Sequence, residues 1–118
     1  MGRRKAALNC EIRPWLSARA DCREGRFIQL GNSILLSAAF QKLSSGAQML
    51  YICMTMEAGG RREYRFPLSS AKKYGIAPRS FRRYASELIA GGFVECSSGW
   101  NTRTANEYGF AFSWKQQP

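Results

Sequence analysis

The chain is 118 residues long, 45% hydrophobic and 13% aromatic, enough for one domain with its own core, which excludes a wholly disordered chain. Eighteen Lys and Arg against eight Asp and Glu leave a formal charge of +10, so a polyanion is the partner this surface favours. There is no histidine, the four cysteines form no C-x-x-C pair, and the acids at 57, 63, 87, 95 and 107 stand singly, so neither a zinc site, a cofactor nor an enzymatic activity is expected.

Residues 1–26 hold seven Lys or Arg and three acids and mix single hydrophobes without sustained periodicity, which predicts a flexible basic N-terminal arm. After Met-Gly-Arg-Arg-Lys only Ala6, Ala7 and Leu8 precede polar residues, too short a stretch for the apolar part of a secretion signal. The longest apolar run, Met49 to Met54, falls far below the roughly 18 residues of a membrane helix. With the cysteines expected to be reduced and structural, these features predict a cytoplasmic protein with no membrane partner. Within the arm, Trp15-Leu16 is expected to dock on the chain's own domain or on a second subunit rather than on a base.

The expected domain spans 27–118. Phe27, Ile28 and Leu30 form an extended lead-in or entering strand closed by Gly31. Asn32 or Ser33 is placed to cap a helix running through Ile34, Leu35, Leu36, Phe40 and Leu43, with Ser37 as a break between two shorter pieces. Ser44 or Ser45 caps the next helix, in which Ala47, Leu50, Tyr51, Met54 and Ala58 share one face. Ile52, Cys53 and Met56 are apolar as well, so this helix is expected to be covered on most sides, its methionines filling gaps in the core.

Gly59-Gly60 ends that helix, and Arg61 to Phe66 alternate as a short strand with Tyr64 and Phe66 inward, stopped by Pro67. Ser69 or Ser70 is the expected cap of a short helix through Tyr74, and Gly75 supplies the turn. Pro78 suits the first turn of a second helix, where its missing N–H costs nothing. In that helix Phe81, Tyr84, Ala85 and Leu88 fall on one face and Arg79, Arg82, Arg83 and Ser86 on the other, before Gly91-Gly92 ends it. Phe93 to Cys96 read as a strand, 97–106 as a turn-rich loop, and Tyr108, Phe110 and Phe112 as a returning strand, with Trp114 closing the inner face of a three-stranded sheet.

The sum is a mainly α, α+β domain of three to four helices with a small antiparallel sheet and a β-hairpin wing. In its residues the chain resembles the winged helix-turn-helix family: Ala71, Gly75, Ile76, Phe81, Tyr84 and Leu88 occupy that family's small, turn and core positions. Glu87-Leu88-Ile89-Ala90-Gly91-Gly92-Phe93-Val94 is similar to the helix-to-wing junction of many bacterial members. From Phe27 through Trp114 the pattern most resembles winged-helix domains of replication initiators and related proteins of plasmids and conjugative elements in Gram-positive bacteria. The resemblance implies a transcriptional regulator or a replication or transfer protein of a mobile element.

Charge location fits a double-stranded DNA partner, since residues 61–83 hold eight Lys or Arg and one acid. Arg79, Ser80, Arg82 and Arg83 lie near the start of the basic helix, the end that reaches base edges, with Ser86 one turn on. Lys72 and Lys73, with Arg61, Arg62 and Arg65, are candidate phosphate contacts that fix register, and Arg103 in the wing is a candidate minor-groove contact. Pro78 and Ala77 depart from the family by leaving that helix without a Ser, Thr or Asp cap. A homodimer would match two recognition helices to two half-sites, and a monomer using its basic arm is the alternative arrangement. The competing reading is a winged-helix protein-interaction module, or a nonspecific nucleic-acid-binding accessory protein, using the arm and Trp15.

Overall fold

The computed structural model describes residues 10–98 and 107–116, an α+β arrangement with five α-helical segments and two small antiparallel sheets among them. The first sheet falls where an arm without regular structure was expected. Strands β1 (Cys10–Glu11) and β2 (Arg23–Glu24) pair antiparallel. A 3-10 turn over Pro14–Leu16 lies between them, and Ile12 N–H donates to the Cys22 carbonyl at 3.0 Å to extend the pairing. Arg19 grips Asp21 at 3.1 Å, and the Ser17 hydroxyl bonds Glu24 across the base. These are local polar contacts, which hydrophobic periodicity does not report. Trp15 and Leu16 do not dock on their own domain: they are 77% and 66% exposed.

Residues 27–31 form the extended lead-in without joining a sheet. The expected first helix is two: α1 (Asn32–Leu36) and α2 (Ala38–Gln41), divided at Ser37. Ser37 adopts an extended backbone, and its hydroxyl accepts the Phe40 N–H to start α2. That division raises the expected three to four helices to five. Neither Asn32 nor Ser33 caps α1, because the helix already includes both and Gly31 stands at its start.

Ser44 does cap α3 (Ser45–Ala58), accepting the Ala47 N–H at 3.2 Å. Helix α3 is the hub of the core: Ala47, Leu50, Tyr51, Cys53, Met54 and Ala58 are all buried, and it packs against α5 (Pro78–Ala90) and β3 (Glu63–Arg65). Met54 fills the core as expected and accepts the Tyr64 hydroxyl on its sulfur at 3.3 Å. Burial pushes the Cys53 thiol up, with the Glu57 charge adding to it, which suits a structural role.

The second sheet has the order β3–β5–β4, with β4 at Val94–Ser98 and β5 at Glu107–Phe110. Tyr64 faces Tyr108 in the β3–β5 register, and β4–β5 is an antiparallel pair with an irregularity between Cys96 and Ser98. The segment that would tip this pair, 99–106, lies outside the described residues. Strand β5 ends at Phe110, so Phe112 does not continue its alternation and is 52% exposed. Trp114, in a 3-10 turn over Ser113–Gln116, instead stacks on Phe93 at 5.1 Å. Gly92 allows that closure, since it has φ 84° and a Cβ there would lie 2.8 Å from Ser113 and 3.0 Å from the Trp114 backbone nitrogen. Phe40, Tyr51 and Phe93 meet edge to face at 5.5–6.2 Å, tying α2, α3 and the entry to β4 into one core.

Candidate nucleic-acid interface

Helix α4 (Leu68–Lys73) and α5 are joined by a tight turn whose geometry follows from Gly75. At φ 81° Gly75 occupies the left-handed region, and Ile76 N–H returns to the Ala71 carbonyl at 2.9 Å, satisfying the end of α4. The start of α4 differs from expectation: Pro67, extended at ψ 168°, stands at its head, so Ser69 and Ser70 lie inside the helix instead of capping it. Ala71 is buried in this turn, and Phe81 stacks on Phe66 at 5.7 Å, anchoring α5 to the end of β3.

Helix α5 begins at Pro78 with Ala77 extended before it, and no side chain caps it. An uncapped helix start is the end that an anion favours, because backbone N–H groups and the helix dipole both point there. Phe81, Ala85 and Leu88 are buried with Tyr84 partly so, while Arg79, Arg82, Arg83 and Ser86 are exposed and Ser80 is half-buried. The four exposed residues and Pro78 line one open depression. Arg83 lies 5.3 Å above the Tyr84 ring, and among the described residues none of the three arginines has a carboxylate within ion-pair distance.

At the far end of α5, Glu87 accepts the Ser44 N–H at 2.9 Å and the Ser44 hydroxyl at 2.7 Å. The backbone donor and then the hydroxyl hold this carboxyl below its ordinary pKa. The same contact completes the cap of α3 and sets the orientation of α5 on it. Sequence reasoning missed it because the two residues are 43 apart.

The remaining expected contacts divide. Lys72 is exposed on α4 and does not line the α5 depression, and Lys73 sits on Glu57 of α3 at 2.5 Å. Tyr74 donates its hydroxyl to the same carboxylate oxygen at 2.7 Å. These two donors, Lys73 first, lower the Glu57 pKa, while burial and then the Glu57 contact push the Tyr74 hydroxyl up to about 12. Lys73 therefore braces α4 against α3, and any phosphate must share it with Glu57.

Arg61 and Arg62 do not join the α5 cluster. Arg61 Nε donates to the Ala58 carbonyl, and Arg62 Nε donates to the Phe110 carbonyl at 2.9 Å with its guanidinium 5.0 Å over Phe112. Both line a second concavity that shares no residue with the α5 depression. Arg65 is exposed on β3, and Arg103 lies outside the described residues.

Among the described residues, no group of three His, Cys, Asp or Glu side chains could hold a metal ion, and no helix is long and apolar enough to cross a membrane. Comparison with protein-family models, with curated proteins and with solved structures finds no match to this chain.

Proposed function

We propose that this protein is a non-enzymatic, winged-helix, sequence-specific double-stranded DNA-binding protein, acting as a transcriptional regulator or in replication or transfer of a mobile element. The observation that carries the reading is the outer face of α5: Arg79, Arg82, Arg83 and Ser86 are exposed together while Phe81, Ala85 and Leu88 bury the opposite face. An arginine fork matches guanine O6 and N7, and each good bidentate pair contributes about 1–3 kcal/mol of discrimination. Lys72 on α4, and in part Lys73, supply phosphate contacts that hold the helix in register. The order α4, turn, α5, then the β4–β5 pair supports the winged-helix assignment.

The test is selection from a randomised duplex pool followed by titration of the enriched site. Arg82→Ala/Arg83→Ala is expected to weaken that site by at least thirtyfold, about two arginine contacts at the lower end of their range, with an unchanged melting temperature. If about six phosphates are neutralised, the logarithmic salt slope is near −5 for the native protein. Unchanged affinity in the double variant would remove α5 from the interface. A salt-independent complex with another protein, and none with DNA, would favour the interaction-module reading, which the bare Trp15–Leu16 tip supports.

A further inference from the structure

The second concavity does not belong to the α5 face. It measures about 470 Å³, within the roughly 300–1,000 Å³ of small-molecule sites. Its walls come from the lead-in, α1, α3, the 60–62 segment, the end of β5 and the C-terminal 3-10 turn, and Ile34, Tyr51, Phe110 and Trp114 among them are packed into the core. Phe110, Phe112 and Trp114 supply aromatic surface, and Arg61, Arg62 and Lys115 supply cations, with no acid in the lining.

The cations and rings are arranged together. Arg62 is held by the Phe110 carbonyl on one side and the Phe112 ring on the other, so its charge is pre-positioned. Lys115 Nζ lies 5.5 Å from the Phe112 ring centre and 5.8 Å from that of Trp114. Phe112 stays 52% exposed with both cations within 5.5 Å of its ring centre, so aromatic surface and positive charge adjoin in one hollow. Such a surface offers aromatic contact and a neighbouring charge for an anion, two demands that a single molecule can meet.

We propose that this concavity binds a small planar aromatic anion, a conjugated ring carrying a carboxylate or a phosphate. The ring packs against Phe112 and Trp114, and the anionic group is held by Arg62 with Arg61 and Lys115. The site is separate from the α5 face, because its lining includes no residue of α4 or α5.

The experiment is calorimetric titration of the full chain with 2-naphthoate and with AMP, set against the uncharged 2-naphthalenemethanol and adenosine and against inorganic phosphate. One charged aromatic probe is expected to bind at least tenfold more tightly than its uncharged counterpart and than phosphate; which one does identifies carboxylate or phosphate as the anion. Amide NMR shifts are expected at Ile34, Thr55 and Phe110 to Lys115. Phe112→Ala and Lys115→Gln, both at exposed positions, are each expected to weaken binding at least fivefold, while Arg82→Ala/Arg83→Ala leaves it unchanged. Absence of binding by both charged probes below about 10 mM, phosphate binding as tightly as AMP with naphthoate inert, or shifts confined to α5 would each overturn the proposal. So would full affinity in both the Phe112→Ala and Lys115→Gln variants.

Discussion

Helices α3 and α5 have nearly the same length, 14 and 13 residues, but opposite surroundings. Helix α3 carries one charged residue, Glu57, and apart from Ser45 and Met49 all its residues are buried or half-buried, so it is covered on most sides. Helix α5 carries three arginines and Glu87, and its buried positions 81, 85 and 88 form a single stripe. A helix enclosed on most sides spends its side chains on cohesion, whereas a helix packed by one stripe leaves the rest of its surface for a partner. The molecule thus separates its scaffold from its candidate interface by how far burial extends around each helix.

The sharpest way to break this comparison is a truncation in each helix. Leu50→Ala, at a fully buried position, is expected to cost about 3–5 kcal/mol in urea denaturation through lost transfer energy and the cavity left behind. Ser86→Ala, on the open face of α5, is expected to change stability by no more than about 0.5 kcal/mol. Equal losses in the two would mean that α5 is not bare on that side.

A smaller effect is expected where the helices meet. Gly46 in the first turn of α3 lies against the Tyr84 ring of α5, and a Cβ at position 46 would fall within that ring. Gly46→Ala is therefore expected to cost about 1–3 kcal/mol in the same denaturation assay, with Tyr84 displaced outward. A stable variant with an unshifted Tyr84 ring by NMR would contradict this contact.

The smallest expected effect concerns acid. Glu57 and Glu87 both have carboxyls held below their ordinary pKa in the folded chain, by Lys73 and Tyr74 in one case and by Ser44 in the other. A lowered folded pKa means that the stabilisation is fully present above the ordinary glutamate value, near 4.3, and is lost as pH falls through the folded values. Urea midpoints are thus expected to be flat from pH 7 to about pH 5 and to decline below it, with a shallower decline in Glu87→Gln. Ser44→Ala, which also removes the cap of α3, is expected to cost about 1 kcal/mol at pH 7.

Much of this architecture was legible in the sequence. The break at Ser37, the cap at Ser44, the inward Tyr64 and Phe66, the turn at Gly75 and the two faces of α5 all arise from short-range rules, in which spacing and one residue's conformational preference suffice. The hairpin at 10–24 was not legible, because polar contacts within a few residues hold it rather than an alternating apolar face.

Alternation places Phe112 as the next residue of the strand, but it does not report where a strand ends, and β5 ends at Phe110. The arginines divide along the same line. Their number and the side of α5 they occupy follow from the sequence by helical period alone. That Lys73 turns to Glu57, that Glu87 reaches Ser44, and that Arg61 and Arg62 serve an aromatic hollow apart from α5 was decided only in the tertiary structure. Glu57 lies 16 residues from Lys73, Ser44 lies 43 from Glu87 and Phe110 lies 48 from Arg62, so packing, not local spacing, brings these partners within reach.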